Sequence, residues 1–274
     1  MWMSARTARI VGAAHLAGVT ALGALAGAPP PPARPPAPGG PAGEVGLVVF
    51  ARGTGEPPGF GGVGQSFVDA VRAQAAPRSV DVYPVNYPAS ADFNNRIQFA
   101  QTVIDGIRDA ADKIEATAAT CPDTQIVLGG YSQGAAVAGF VTAAEIPPGI
   151  PAEYRHYIPD PMPTEMADHV AAVVLFGKPS ARWLQDVGAP PIEIGPAYAD
   201  KTLDLCADGD TICNGAPVGG PNFAHASYPF TGLTNEGAAY AVARLAAAPG
   251  SAGVAGSSED AEQPAPWAER APAG

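Results

Sequence analysis

The sequence predicts an α/β fold in which a mostly parallel sheet carries helices on both faces. Short apolar runs alternate along the chain with longer segments whose apolar residues recur at helical spacing. Runs that are apolar at successive positions are typical of parallel strands, because helices cover both faces of such a sheet. Ser132 lies within a G-x-S-x-G pattern that directly follows one of these runs and directly precedes a helical segment. In folds of this class, functional residues collect at the carboxyl ends of the strands.

The individual elements follow from the same patterns. Strands are predicted at Gly46–Ala51, Val80–Val85, Gln125–Gly129 and Val170–Phe176, with a candidate fifth at Lys201–Cys206. Helices are predicted at residues 64–76, Asn94–Thr120, Gln133–Ala143 and Asn235–Ala247. The longest of these helices is amphipathic, and its apolar residues are expected to share one face: Ile97, Val103, Ile104, Ile107 and Ile114.

The two ends of the chain differ from the middle in composition. Arg6 and Arg9 precede an apolar run that ends in small residues, so residues 1–26 are predicted to be a secretory signal peptide, with an uncleaved membrane anchor as the alternative. Residues 27–44 are proline-rich and predict an extended linker. Residues 249–274 are typical of a disordered tail. The folded domain is therefore expected over residues 45–248.

Composition and spacing argue against several kinds of site. The net charge of −11 argues against nucleic-acid binding, which requires clustered Lys and Arg. Scattered histidines and the lack of a C-x-x-C pair argue against zinc, and neither a metal nor a cofactor is predicted. Residues 59–64 match G-x-G-x-x-G, the dinucleotide-binding motif. The preceding strand already ends by Arg52, and Asp81 begins the next strand rather than ending it, so we interpret these glycines as part of a loop near the site.

The clearest functional pattern is GYSQG at residues 130–134, between a predicted strand and a predicted helix. This is the G-x-S-x-G nucleophile elbow in the context that the motif requires. A serine on so sharp a turn has a strained backbone, and the residues two positions before and after it must be glycines to avoid clashes. The free amides at the start of the following helix suit a developing oxyanion. The pattern predicts Ser132 as a nucleophile.

A nucleophilic serine needs a base, and three downstream histidines are candidates. His225 lies in a loop ahead of the last predicted helix, in the chain order that α/β-hydrolases use for their base. His169 opens the fourth predicted strand, where capping or packing is the simpler role. His156 lies in a proline-rich connection and is expected at the surface. We therefore favour His225 as the base.

Three carboxylates compete to orient that base. Cys206 and Cys213 are close enough in sequence to form a disulfide in a secreted protein. Asp210 lies inside the loop that this disulfide would close, and a rigid support is what an orienting carboxylate needs. Asp204 is interpreted as a strand residue and Asp208 as a turn residue.

Several motifs in the same order resemble the cutinase family, and most closely the cutinase-like proteins of actinobacteria. They are FARGT at 50–54, VYPVNYPAS at 82–90, GYSQG at 130–134, CADGDTIC at 206–213, and the Ala-His pair that ends at His225. The similarity runs from about residue 48 to residue 245. It implies a compact α/β-hydrolase with a small sheet and without a full lid.

The resemblance also implies a role for each matched residue. Ser132, Asp210 and His225 would form the catalytic triad. Thr54 and Gln133 would build the oxyanion hole from both backbone amides and the Thr54 hydroxyl.

The chain departs from the family pattern in two places. Family members generally carry a cysteine just before the first strand, bridged to one that precedes the nucleophile strand. The region around Gly43 has no cysteine, so Cys121 has lost that partner and is left as a free thiol or an intermolecular link. The second departure is a long, proline-rich segment at 145–167, which we expect either to border an acyl-chain groove or to be a surface loop.

The predicted protein is a secreted serine esterase that acts on short- to medium-chain carboxylic esters, with cutin-like polyesters and lipids as candidate substrates. It is expected to be a monomer, and its linker could also tether it in a cell wall. A phospholipase or thioesterase on the same triad is one alternative. Another is a cell-envelope binding protein that keeps the fold without turnover.

Overall fold

A five-stranded parallel sheet forms the centre of the region that the computed structural model describes, residues 44–217 and 219–247. The strands are β1 Glu44–Ala51, β2 Ser79–Pro84, β3 Gln125–Tyr131, β4 Val170–Phe176 and β5 Thr202–Leu205. They lie in the order β2-β1-β3-β4-β5, and each neighbouring pair is parallel. The predicted parallel sheet is confirmed.

Helices cover both faces of this sheet, as the apolar strands predicted. They are α1 Gly61–Ala75, α2 Arg96–Thr120, α3 Gln133–Val141, α4 Ala181–Val187, α5 Pro196–Ala199 and α6 Leu233–Ala247. Phe50 of β1 packs with Phe67 of α1 and with α6 on one face. The next residue along the strand, Val49, packs with Ile114 of α2 and Val137 of α3 on the other face. Alternate strand residues thus serve two separate cores.

The residues predicted to share the apolar face of helix α2 differ in burial. Ile114 is fully buried against the sheet, whereas Ile97 is 60% exposed and Ile104 is half-buried. The sheet-facing positions nearer the start of the helix are mostly small instead: Thr102, Gly106 and Ala110. A Cβ on Gly106 would lie 3.0 Å from the Tyr87 ring, so small residues allow this close approach. The larger side chains are therefore available to line a groove.

Several element ends differ from the predicted ones. Strand β3 continues to Tyr131 because its ladder with β4 extends to the pair Tyr131–Phe176. Helix α1 starts three residues earlier than predicted, at Gly61, inside the G-x-G-x-x-G stretch. Strand β4 has the bounds that the sequence predicted.

The candidate functional residues lie at one edge of the sheet. Thr54 follows β1, Ser132 follows β3, and Asp210 follows β5. The carboxyl ends of parallel strands meet at the same edge, so the topology collects these residues from distant parts of the chain.

The predicted signal peptide, nearly all of the linker and the predicted tail lie outside the described residues, and those three assignments stay predictions. Within residues 44–217 and 219–247, no helix has both the length and the hydropathy that crossing a bilayer would require.

Candidate active site

Ser132 occupies a strained turn between β3 and α3. Its backbone adopts φ +54° and ψ −114°, a region that residues with side chains rarely occupy. A Cβ on Gly130 would lie 2.1 Å from the Gly134 carbonyl oxygen, and one on Gly134 would lie 2.0 Å from the Ala51 carbonyl oxygen. Both glycines of the motif are therefore required by these close contacts. Ser132 itself is only half-buried, which leaves its hydroxyl accessible.

Three side chains form a continuous hydrogen-bonded row at this turn. His225 Nε2 lies 2.9 Å from Ser132 Oγ, and His225 Nδ1 lies 2.8 Å from Asp210 Oδ2. His225 is 5% exposed, and Asp210 is fully buried behind it. With Asp210 ionised, Nδ1 carries the proton and donates to the carboxylate, so Nε2 is free to accept from the serine hydroxyl.

Asp210 is surrounded by hydrogen-bond donors. Besides His225, the Tyr228 hydroxyl donates to Oδ2 at 2.6 Å, and the Ile212 backbone N–H donates to Oδ1 at 2.9 Å. Burial by itself would raise the pKa of this carboxyl, but the hydrogen bonds outweigh burial and hold the pKa below its ordinary value of 3.8. The carboxylate is thus kept ionised and fixed in orientation.

The lowered pKa of Asp210 predicts how acid affects folding. Because the folded-state pKa lies below 3.8, the ionised carboxylate stabilises the protein above that pH, and the contribution is lost as pH falls through the folded-state pKa. We expect the difference in unfolding free energy between wild type and Asp210→Asn to shrink as the pH falls below about 4. Urea unfolding at pH 5, 4 and 3 measures this difference, and a difference that grew over that range would contradict the assignment.

The loop that carries Asp210 is closed by a disulfide. Cys206 and Cys213 are bonded, with their Cα atoms 5.7 Å apart, which confirms the predicted pair. The Asp210 backbone N–H also donates to the Ala207 carbonyl at 3.0 Å. The carboxylate is therefore presented from a short, cross-linked turn.

Thr54 and Gln133 line the same cavity as Ser132 and His225. Gln133 is the first residue of α3, where a backbone N–H has no acceptor within the helix and carries the positive end of the helix dipole. Thr54 is half-buried in the loop after β1. The structure thus gathers four of the five predicted site residues around one cavity, with Asp210 directly behind His225.

A groove of about 1460 Å³ extends from Ser132 along α3. Ala136 and Phe140 line it from α3. Its lining follows α3 from Gln133 to Val141, a distance of about 12 Å at the helical rise per residue. The facing wall comes from α2 residues that recur at helical spacing: Ile97, Ala100, Ile104, Ile107 and Ala111.

The groove is mostly apolar, and the proline-rich segment after α3 borders it. Side chains from that segment contribute to the lining: Ile146, Ile150, Tyr154, Tyr157, Ile158 and Met162. The charged lining residues among those described are Arg96, Glu145 and Asp160. Such a lining suits an apolar chain more than a charged or sugar-like group.

Comparisons with known proteins agree with this geometry. The family model described as Cutinase matches residues 44–245. The chain belongs to the cutinase family. The probable carboxylesterase Culp7 of Mycobacterium tuberculosis is 54% identical over 173 residues, which cover 63% of this chain and 89% of that protein. The phospholipase Culp4 of the same organism is 43% identical over 198 residues, covering 72% and 77%.

Solved structures of the cutinase family share the fold. A Trichoderma reesei cutinase, in complex with a phosphonate inhibitor, matches with a TM-score of 0.52 and 27% identity, covering 74% of this chain and 77% of that chain. A cutinase-like protein from Cryptococcus matches with a TM-score of 0.53 and 25% identity, covering 73% and 94%. This family member is therefore a carboxylic ester hydrolase with an α/β-hydrolase fold.

Three further side chains support the hydrogen-bonded row of this cutinase-family protein and were missed in the sequence. Tyr228 donates to Asp210, and Tyr131 donates from its hydroxyl to the His225 carbonyl at 2.6 Å. Asn222 accepts from the His225 backbone N–H at 3.1 Å and donates to the Gly209 carbonyl at 2.8 Å. Tyr131 is the variable second residue of the elbow motif, and Tyr228 lies three residues after the base. The closeness of Tyr131 and Tyr228 to the sequence motifs was the available signal. The sequence does not, however, specify the hydrogen bonds that these side chains form.

The competing candidates lie apart from the row. His156 lies in the 3-10 helix Ala152–Tyr157, where its ring packs on Tyr157. His169 ends a second 3-10 helix, Thr164–His169, so it precedes β4 rather than opening it, because the strand pairing starts only at Val170. Asp204 is a strand residue paired with Lys178 at 3.1 Å, and Asp208 lies in a turn.

The glycine-rich stretch at 59–64 supports the loop after β1. Glu56 accepts hydrogen bonds from the backbone N–H groups of Gly53 at 2.6 Å and Gly62 at 2.7 Å. A Cβ on Gly61 would lie 2.0 Å from the Glu56 carboxylate, so glycine is needed there for close approach. Cys121, at the end of α2, is an exposed free thiol.

Proposed function

We propose that this protein is a secreted serine esterase that hydrolyses carboxylic esters through an acyl-enzyme, with Ser132 as nucleophile, His225 as base and Asp210 as orienting carboxylate. The observation that carries the proposal is the continuous row Ser132–His225–Asp210, with hydrogen bonds of 2.9 and 2.8 Å. Such a row activates a serine, because the base is within reach of the hydroxyl and is itself held in one tautomer.

The first half of the reaction transfers the acyl group to the enzyme. His225 Nε2 takes the proton from Ser132 Oγ as that oxygen attacks the ester carbonyl carbon. Negative charge then collects on the carbonyl oxygen, where the Gln133 and Thr54 backbone N–H groups and the Thr54 hydroxyl donate to it. When the tetrahedral intermediate collapses, His225 gives its proton to the leaving alcohol oxygen.

The second half releases the acid. Water replaces the alcohol, His225 takes one of its protons, and the resulting attack forms a second tetrahedral intermediate in the same oxyanion hole. Collapse returns the proton from His225 to Ser132 Oγ and frees the carboxylic acid. Asp210 stays ionised throughout and stabilises the imidazolium that forms in each half.

The direct test is hydrolysis of p-nitrophenyl esters from C2 to C16, combined with labelling by an organophosphonate. An esterase should release p-nitrophenol, and mass spectrometry of the labelled protein should place the phosphonyl group on Ser132, because only an activated serine reacts rapidly. Folded protein that neither turns over these esters nor becomes labelled would support the alternative of a binding protein that keeps the fold.

We further propose that the apolar part of the substrate lies in the groove between α2 and α3. The groove runs about 12 Å along α3, which favours a medium or long acyl chain over an acetyl group. Ile104→Ser places a hydroxyl in the wall of the groove. It should lower kcat/KM for C12 esters about tenfold, because the apolar contact between the isoleucine and the acyl chain is lost. The same change should lower kcat/KM for C2 esters less than twofold.

Leu203→Ser is the matched control for that prediction. Leu203 is half-buried against the opposite core, away from the groove, so its replacement should leave the ratio of C12 to C2 activity unchanged. If Ile104→Ser changed both esters equally, the groove would not be the acyl site.

A phospholipase activity is the second candidate, because the relative Culp4 carries that name. The same triad can cleave an acyl ester of a glycerophospholipid. Release of fatty acid from phosphatidylcholine vesicles, at a rate matching that from p-nitrophenyl palmitate, would favour it.

The proposed location is outside the cytoplasm. The Cys206–Cys213 disulfide supports an oxidising compartment, and the N-terminal pattern of residues 1–26 is that of a secretory signal. N-terminal sequencing of the protein from culture medium would test both secretion and cleavage, and a cytoplasmic, full-length product would contradict the proposal. Comparing the amount of the protein in the medium with the amount in the cell-wall fraction would test whether the linker also holds it in a cell wall.

A further inference from the structure

The segment at residues 85–90, directly after β2, contacts several parts of the active site but has no role in the mechanism above. It belongs to the VYPVNYPAS motif, which the resemblance to actinobacterial proteins singled out. The side chains of Val85, Tyr87 and Ala89 are buried. The carbonyl groups of these three residues and of Ser90 accept hydrogen bonds from the neighbouring loop and from α3.

The first set of bonds reaches the loop that carries Thr54. The Gly55 backbone N–H, next to Thr54, donates to the Ala89 carbonyl at 2.7 Å. Arg52 is 4% exposed, and its guanidinium donates to the carbonyls of Val85 and Tyr87. The loop on the Thr54 side of the oxyanion hole is thus bonded to the segment at three carbonyls.

The second set reaches the other half of the oxyanion hole. The Gln133 side-chain amide donates from Nε2 to the Ser90 carbonyl at 3.2 Å. Gln133 is 5% exposed, and its Oε1 atom is buried without a partner among the described residues, so this bond is what orients the side chain. The Ser90 backbone N–H in turn donates to Thr102 Oγ1 of α2 at 3.3 Å.

The backbone of the segment is itself strained. Ala89 has φ +51°, in the left-handed region, and it is one of two such residues other than glycine among those described, the other being Ser132. A residue in this region is strained and persists only where its surroundings determine its conformation. The two strained residues therefore flank the oxyanion hole, one at the nucleophile and one in the supporting segment.

We propose that the 85–90 segment holds the two halves of the oxyanion hole at a fixed spacing, and that the Gln133 side chain is a positioning group acting through the Ser90 carbonyl. This inference rests on the proposed serine-esterase mechanism. Oxyanion donors must lie within hydrogen-bond distance of where the oxyanion forms, and they act mainly in the transition state. Loosening the segment should therefore lower kcat while leaving substrate binding nearly unchanged.

The test compares Gln133→Met with wild type on p-nitrophenyl butyrate. Methionine matches the length of glutamine and keeps the backbone N–H but cannot donate to Ser90. We expect kcat to fall roughly tenfold, since small misplacements of catalytic groups carry costs up to about a hundredfold. KM should change less than twofold, the pattern of an interaction made only in the transition state.

Gln74→Met is the matched control. Gln74 makes the same kind of bond, from its side-chain amide to the Asn235 carbonyl at 3.1 Å, but between α1 and the start of α6. We expect its kcat to equal that of wild type. Unfolding midpoints of both variants separate a local change at the oxyanion hole from a general loss of stability.

Thr102→Val supplies a second, independent variant. Valine has nearly the shape of threonine and removes only the hydroxyl that accepts from the Ser90 N–H. It should lower kcat roughly threefold, because it loosens the segment from α2 without touching the oxyanion hole. If Gln133→Met failed to fold, this variant would decide the question.

Three outcomes would overturn the inference. If Gln133→Met kept the wild-type kcat, the segment would not position the donors. If Gln133→Met did not fold, a wild-type kcat in Thr102→Val would show the same. A raised KM with unchanged kcat would show that Gln133 acts in substrate binding instead. Wild-type protein that is inactive and unlabelled at Ser132 would overturn the proposed function, and the inference with it.

Discussion

Ser132→Ala is expected to lower kcat for p-nitrophenyl esters by about 10⁶-fold, because no other group forms the acyl-enzyme. The hydroxyl lies 2.9 Å from His225 Nε2 on a turn that positions it, so its loss removes covalent catalysis completely. The oxyanion hole and the groove remain, and they should leave a residual rate about 10³–10⁴-fold above that in water. Steady-state assays of purified variant and wild type measure the loss.

Ser66→Ala is the control for this substitution. The Ser66 hydroxyl lies 3.0 Å from Thr234 Oγ1, between α1 and the start of α6, on the face of the sheet away from the groove. Its removal should leave kcat unchanged. If Ser132→Ala kept more than about one per cent of wild-type activity, another nucleophile would have to carry the reaction.

Asp210→Asn is expected to lower kcat by about 10⁴-fold at neutral pH. An amide can donate from its nitrogen to His225 Nδ1, which moves the imidazole proton to Nε2 and leaves that atom unable to accept from Ser132. The substitution also removes the negative charge that stabilises the imidazolium. Because Asp210 has no exposed surface and contacts His225 and Tyr228 at the same oxygen, no neighbouring water replaces this role. The loss is measured by comparing the pH profile of kcat/KM of Asp210→Asn with that of wild type.

Asp204→Asn and Asp208→Asn are matched controls, since both carboxylates compete with Asp210 in the sequence. Asp204 pairs with Lys178, and its side chain is 44% exposed. Asp208 is exposed in a turn. Both variants should keep wild-type kcat. A large loss in either one, with Asp210→Asn active, would assign the orienting role to a different carboxylate.

The elements near the nucleophile were predictable because their causes are local. The apolar run at Gln125, the glycines at 130 and 134 and the helical pattern that follows are all within one stretch of chain, and together they define the strand, turn and helix. Strand β4 was predicted with its observed bounds, because its seven residues are uniformly apolar and flanked by polar or glycine residues. Asp210 was favoured over Asp204 by its place inside the disulfide loop, and over Asp208 because Asp208 was expected to serve a turn; both are short-range features.

The supporting residues were not predictable in the same way. Tyr228 carries no mark of its role in the sequence, since a tyrosine in a loop is as often exposed as buried. Ile97 and Ile104 fit the apolar pattern of a core helix, yet they line the groove, because Thr102, Gly106 and Ala110 occupy the positions nearest the sheet. Helical periodicity shows that residues share a face, but it does not show whether protein or solvent lies against that face.

The sequence by itself determined the class of fold and the family, and it predicted Ser132 as the nucleophile, because these depend on short motifs and on the alternation of apolar strands with helices. Only the tertiary structure decided that His225 reaches Ser132 across 93 residues of chain and Asp210 across 15, at hydrogen-bond distance in both cases. It also decided that the 85–90 segment contacts both Gln133 and the loop that carries Thr54. Such contacts depend on how parallel strands order themselves in the sheet and how closely the helices pack upon it, and both are settled by the packing of the whole domain.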